Sequence, residues 1–151
     1  AIERGDFLAA LSSLVGHVMP SDRLARVWQD IFEPNAPMWP GVESLHGRYP
    51  LYLLSNTNCL QQEFIVERYG IFSKFSDGVY SYRAKLMKPE PEIFDLAIRR
   101  FGVRPEATVY TDDLAANVEA ARSAGLQAVL YHPDAHDVFV GALRDAGVQC
   151  V

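Results

Sequence analysis

Three short clusters in this chain carry residue types that could handle an anion. They are Ser55-Asn56-Thr57-Asn58, Lys88-Pro89-Glu90-Pro91, and Asp112-Asp113 with Asn117 four residues beyond. A hydroxyl beside backbone N–H groups at a helix start suits a phosphate oxygen, which gives Ser55 a use. Lys88 supplies a point charge for a phosphoryl group or a developing anion. Two adjacent carboxylates disfavour each other's ionisation unless a cation neutralises them. A hard divalent cation does so, and Mg2+ needs only one or two carboxylates besides substrate oxygens and water. Taken singly, each cluster also reads as ordinary structure: a turn with a helix cap, a solvated proline loop, an N-cap carboxylate at a helix dipole. Their order and their placement at successive element junctions give them weight together.

Something must bring positions 55, 88 and 112 to one place. The apolar run 49–54 stops just before Ser55, and 107–111 stops just before Asp112; both read as strands buried on two faces. Segments 78–82 and 127–131 read as further strands, and 148–151 as a last short one. Helical spacing fills 60–69, 92–101, 115–124 and 138–146, each followed by a glycine that can close it: Gly70, Gly102, Gly125 and Gly147. Pro89 and Pro91 precede the second of these helices. The alternation of strand and helix predicts an α/β layer fold with a parallel sheet, whose site lies beyond the carboxyl ends of the strands. Residues 1–40 differ, having no strand candidate. A helix is expected over 7–17 and a second from Ser21, with Leu24, Val27, Trp28, Ile31 and Phe32 on one face. Segment 33–40 holds three prolines and reads as a loop, and 41–47 as a short helix.

The bulk properties narrow the classes. A length of 151 residues fits one domain, or one with a small appendage. A net charge of −5 argues against a broad nucleic-acid footprint. No apolar run reaches membrane-spanning length, and the polar start, Ala1 to Asp6, is unlike a signal peptide. Cys59 and Cys150 make no metal or disulfide pattern, and a reducing cytoplasm is the simplest setting. His17, His46, His132 and His136 are scattered, without metal-ligand spacing.

The three clusters with their surroundings, Leu53 to Asn58, Leu86 to Phe94 and Val109 to Ala121, resemble the second, third and fourth motifs of haloacid dehalogenase-like (HAD) hydrolases. The likeness is greatest to the subgroup with a small helical cap, which includes sugar-phosphate phosphatases and the phosphatase domain of soluble epoxide hydrolases. The resemblance implies a three-layer Rossmann-like core over 41–151 and the C-terminal part of a cap over 1–40. It implies that Ser55 and Lys88 act on the transferring phosphoryl group of a small phosphorylated metabolite, with Asn56 supporting the phosphate-binding loop. Asp113 would be the main ligand of Mg2+, Asp112 a second acidic group at the metal, and Asn117 an orienting residue. The family reaction is attack by an aspartate on phosphorus, giving an aspartyl-phosphate that water hydrolyses, with Mg2+ screening charge.

The likeness also has departures. The first family motif, Asp-x-Asp at the end of a central strand, has no counterpart: upstream of Ser55 the aspartates are Asp6, Asp22 and Asp30, all in or beside helical segments. Without that central strand, the strands ending at Ser55 and Thr111 would each keep a bare inner edge. The expectation is therefore that an upstream segment of the same protein carries the nucleophile, or that the chain is a fragment needing a complementary segment, rather than a complete protein without the chemistry, and that 51–54 and 107–111 do not pair directly. Lys85 stands where relatives usually place glycine, and reads as a solvated loop lysine. Two other functions share the fold. A haloacid dehalogenase needs no metal, and its metal-free members tend to lack the Asp112-Asp113 pair. A non-catalytic binding protein would fit the absent nucleophile but not the retention of Ser55, Lys88, Asp113 and Asn117.

Overall fold

The structure, a computed structural model, describes residues 4–15, 23, 27 and 33–149. The first helix, α1, is Arg4–Val15. The helix expected from Ser21 falls almost wholly outside the described residues. The proline segment is more ordered than a loop: a 3-10 turn at Ala36–Met38 runs into α2, Trp39–Leu45. Pro37 and Pro40 stand in the first turns of these elements, where a missing N–H costs nothing.

The strands are β1 (Tyr52–Ser55), β2 (Asp77–Tyr80), β3 (Val109–Asp112) and β4 (Gln127–Leu130). Between them lie α3 (Cys59–Arg68), α4 (Ser81–Ala84), α5 (Pro91–Phe101) and α6 (Ala115–Ser123), and α7 (His136–Asp145) follows β4. Asn58 caps α3 by accepting from the Gln61 N–H at 3.0 Å. Gly102 ends α5 at φ +62°, a conformation glycine adopts without a Cβ clash. The strand expected over 78–82 stops at Tyr80. Its register partner there is Ser55, the last residue of β1. Ser81 then turns away, its Oγ accepting from Thr57 N–H and donating to Thr57 C=O, each at 3.0 Å. Val148 and Gln149 are not in a strand, and the rest of the strand expected over 148–151 lies outside the described residues.

The strands form two parallel pairs, β1 with β2 and β3 with β4. The pairs are not joined; β1 and β3 flank an apolar cavity of about 960 Å3 lined by Tyr52, Leu53, Leu54, Val109, Tyr110 and Thr111 among others. The expectation that these two strands do not pair directly agrees with this arrangement.

Side-chain alternation along the strands builds three layers. On one face, Val79 packs with Ile93, Phe94 and Ala97 of α5 and Ala121 of α6, and Leu54, Tyr110 and Ala128 join them. This cluster takes a residue from every strand, so α5 and α6 span both pairs. On the other face, Val109 and Val129 pack with Phe139 and Leu143 of α7 and with Tyr131 and Met38. Ile93 and Phe94 are fully buried, each contributing about 1.5–3 kcal/mol of hydrophobic free energy. Leu8 and Leu11 of α1 pack with Leu60 and Cys59 at the start of α3. No described helix is long and apolar enough to cross a membrane.

Candidate active site

Both strand pairs are parallel, so Ser55 and Asp112, the last residues of β1 and β3, sit at carboxyl ends. The two-residue spacing from Tyr110 puts its ring on the Asp112 side of β3. Lys88 reaches this end from the loop between α4 and α5, where the Lys88–Pro89 peptide is cis. Asn56 fixes that loop. Its Nδ2 donates to Lys88 C=O at 2.9 Å, and its Oδ1 accepts from Lys88 N–H at 2.8 Å. Both polar ends of the Asn56 side chain are thus engaged with Lys88, which makes it a support for the lysine.

The head of Lys88 is fixed as well. Nζ lies 2.6 Å from Asp112 Oδ2, with the two side chains only 11% and 4% exposed. The same oxygen accepts from the Tyr110 hydroxyl at 2.5 Å. Asp112 Oδ1 accepts from Leu114 N–H and from Asn117 Nδ2, each at 2.9 Å. Burial by itself would raise the Asp112 pKa; the hydrogen bonds from Lys88, Tyr110, Leu114 and Asn117 outweigh it and hold the group at about 2. Burial, followed by the hydrogen bond to Asp112, pushes the Tyr110 phenol up.

These contacts sort the two aspartates. A carboxylate has about four acceptor positions, and Asp112 has four donors on it. Those donors are Lys88 Nζ, the Tyr110 hydroxyl, Leu114 N–H and Asn117 Nδ2. Asp113 is exposed and makes no hydrogen bond or ion pair among the described residues. Its oxygens are open to a cation at the same strand end. Among the described residues no group of three or more His, Cys, Asp or Glu is arranged to hold a metal ion. One exposed carboxylate with water and substrate oxygens is a donor set that suits Mg2+.

Ser55 closes β1 with no side-chain partner among the described residues, leaving its hydroxyl available. The cavity between β1 and β3 is a separate feature: Ser55, Lys88, Asp112 and Asp113 do not line it, while Tyr110 does. His46 Nδ1 meets Lys74 C=O at 3.2 Å, and His136 packs beside Tyr131 and Phe139. Two residues here escaped sequence reasoning. Tyr110 could have been flagged by its i, i+2 spacing to Asp112 on a strand. Ser81 carried no sequence signal, since its tie to Thr57 spans 24 positions.

A family model described as haloacid dehalogenase-like hydrolase matches residues 18–125. A fructose-1-phosphate phosphatase of Escherichia coli K12 is 33% identical over 100 residues, covering 66% of this chain and 53% of that protein. A D-ribitol-5-phosphate phosphatase of Bacteroides thetaiotaomicron is 29% identical over 130 residues, covering 81% of this chain and 63% of that protein. A HAD family enzyme of B. thetaiotaomicron, solved as a complex with magnesium and inorganic phosphate, superposes with a TM-score of 0.79. Its identity is 24%, over 87% of this chain and 70% of that one. The chain spans between 53% and 63% of the length of these two curated relatives.

Proposed function

The chain belongs to the haloacid dehalogenase-like hydrolases, and on that premise we propose that it forms the core of a Mg2+-dependent phosphatase of small phosphorylated metabolites. The observation that carries the reading is the double clamp on Lys88, by Asn56 at its backbone and Asp112 at its ammonium, with the exposed Asp113 next in sequence to Asp112. A loop lysine held at both ends is a preorganised charge, which stabilises an anion without reorganising when the anion arrives.

Each residue then has a role in phosphoryl chemistry. Ser55 donates to a phosphoryl oxygen from the end of β1. Lys88 balances the negative charge shared by the phosphoryl group and the attacking carboxylate. Asp113 holds Mg2+, and Asp112 with Asn117 keeps Lys88 aimed. When bound, Mg2+ supplies positive charge against the phosphoryl oxygens. The attacking carboxylate itself is to come from an Asp-x-Asp strand outside these residues, seated between β1 and β3 with its carboxyl end toward Lys88. The support is the pair of inner strand edges flanking an apolar cavity. Residues 1–40 are assigned to a cap over the site, and Leu8 against Leu60 is the described contact that supports this.

Relatives named for fructose-1-phosphate and D-ribitol-5-phosphate point to sugar and polyol phosphates as the first substrates to assay. Phosphate release from such a panel, by protein that includes the Asp-x-Asp strand, should stop in a chelator and return with added Mg2+. Hydrolysis that persists in chelator would remove the metal from the account, and with it the role given to Asp113.

A further inference from the structure

Tyr110 is a phenol in a place where a plain ring would pack equally well. Its ring lies edge-on to the fully buried Phe94, with centroids 5.6 Å apart. That contact needs no hydroxyl. Among the described residues the hydroxyl has one partner, Asp112 Oδ2 at 2.5 Å, within the range for O–H donation to a carboxylate. That oxygen also takes Lys88 Nζ at 2.6 Å, and the ammonium lies 5.8 Å from the centre of the Tyr110 ring.

One carboxylate oxygen therefore serves two donors of different kinds. Asp112 itself does not need Tyr110 to stay in position, because Leu114 N–H and Asn117 hold its other oxygen. What the phenol changes is the hold on Lys88. A carboxylate oxygen already accepting one strong bond is a weaker acceptor for the next. An ammonium leaving a buried carboxylate with no other donor on that oxygen would strand an unsatisfied charge, a costly event. With the phenol in place, the oxygen stays satisfied.

We propose that Tyr110 is a positioning residue that shares Asp112 Oδ2 with Lys88, so that the ammonium can turn to an incoming anionic oxygen while the carboxylate keeps a donor. The sharing follows from the contacts alone; the identity of the anion as a phosphoryl group rests on the phosphatase reading.

The test needs no substrate. The chain has three lysines, Lys74, Lys85 and Lys88, and exposed Lys85 is an internal reference. Trace acetylation with acetic anhydride at one fixed pH, read per lysine by mass spectrometry, gives the Lys88-to-Lys85 labelling ratio. Tyr110→Phe keeps the ring and leaves Lys88 as the remaining donor to Oδ2, so the ratio should fall several-fold. An unchanged ratio would mean the phenol only packs, and a raised ratio would mean it merely anchors Asp112; either result overturns the proposal. Lys88→Met gives an independent reading in the natural Tyr110 background. It should lower Tm by no more than about 4 °C, since Oδ2 retains its phenol. A loss beyond about 8 °C, the scale for a stranded buried charge, contradicts the sharing. Protection of wild-type Lys88 by inorganic phosphate with Mg2+ tests the phosphatase reading separately.

Discussion

Asn56 and Lys88, 32 positions apart in sequence, close a two-bond ring between one side-chain amide and one peptide backbone, at 2.9 and 2.8 Å. This ring ties the end of β1 to the loop that carries the lysine. Asn56→Ala opens both bonds while leaving the ion pair with Asp112 in place. Because the site is exposed there, the expected loss of stability is only about 1 kcal/mol. The expected loss of affinity for inorganic phosphate in Mg2+ is larger, roughly tenfold, because the lysine is no longer delivered at a fixed point. Thermal unfolding and calorimetry on the same samples check the two together; equal affinity in both proteins would detach Asn56 from the site.

Asp112 makes an acid-stability prediction. Its folded pKa of about 2 lies below the ordinary 3.8. The unfolded chain therefore binds the proton more readily. The stabilisation is fully present above the unfolded value and is lost as pH falls through about 4 toward 2. Its size is on the order of 2 kcal/mol. Asp77, drawn down by its hydrogen bond from Arg100, acts in the same direction at the surface. Asp112→Asn should be less stable at neutral pH, because Lys88 loses its partner. The diagnostic is the slope of urea stability between pH 2 and 4, which should flatten in the variant while the Asp77 contribution remains. A slope equal to wild type would mean Asp112 is not held as described.

Lys85 ends α4 at φ +58° and ψ +29°, a left-handed conformation unusual for a residue with a Cβ. The sequence comparison with family habit picked out this position because glycine is usual there, and the backbone supplies the reason. Lys85→Gly relieves the Cβ clash but adds freedom to the unfolded chain. The net expectation is a gain of about 0.5–1 kcal/mol, or roughly 2–4 °C in Tm. Phosphate binding should be unaffected, since the exposed Lys85 side chain has no described contact with the site. A fall in phosphate affinity would instead make Lys85 part of the electrostatics.

Much of this site was legible because its residues stand where elements change. The apolar runs ending at Ser55 and Asp112 mark carboxyl ends of strands, and Pro89 and Pro91 mark the start of α5 beside Lys88. Local pattern alone fixes such junctions. What local pattern does not carry is pairing. That β1 joins β2 and β3 joins β4 depends on contacts across long stretches of chain. So does the early end of β2 at Tyr80, which Ser81 sets by bonding back to Thr57. The division of labour between Asp112 and Asp113 was likewise hidden. Asp112 is the last residue of β3 and is buried under four donors, whereas Asp113 lies in the bend just past the strand and is exposed; the sequence shows only two adjacent acids. The 3-10 turn and the first two residues of α2 were hidden by prolines, which terminate helices from within but start them at the first turn, while the rest of α2 overlaps the short helix expected over 41–47.

The most direct test of the central claim is calorimetric titration of inorganic phosphate, with and without Mg2+, into the wild-type chain, Asp113→Asn and Lys88→Ala. The account expects Mg2+-dependent binding in wild type, loss of that dependence in Asp113→Asn, and affinity at least about tenfold weaker in Lys88→Ala, the scale of one charged hydrogen bond. Equal binding by all three proteins, or binding indifferent to Mg2+, would contradict it.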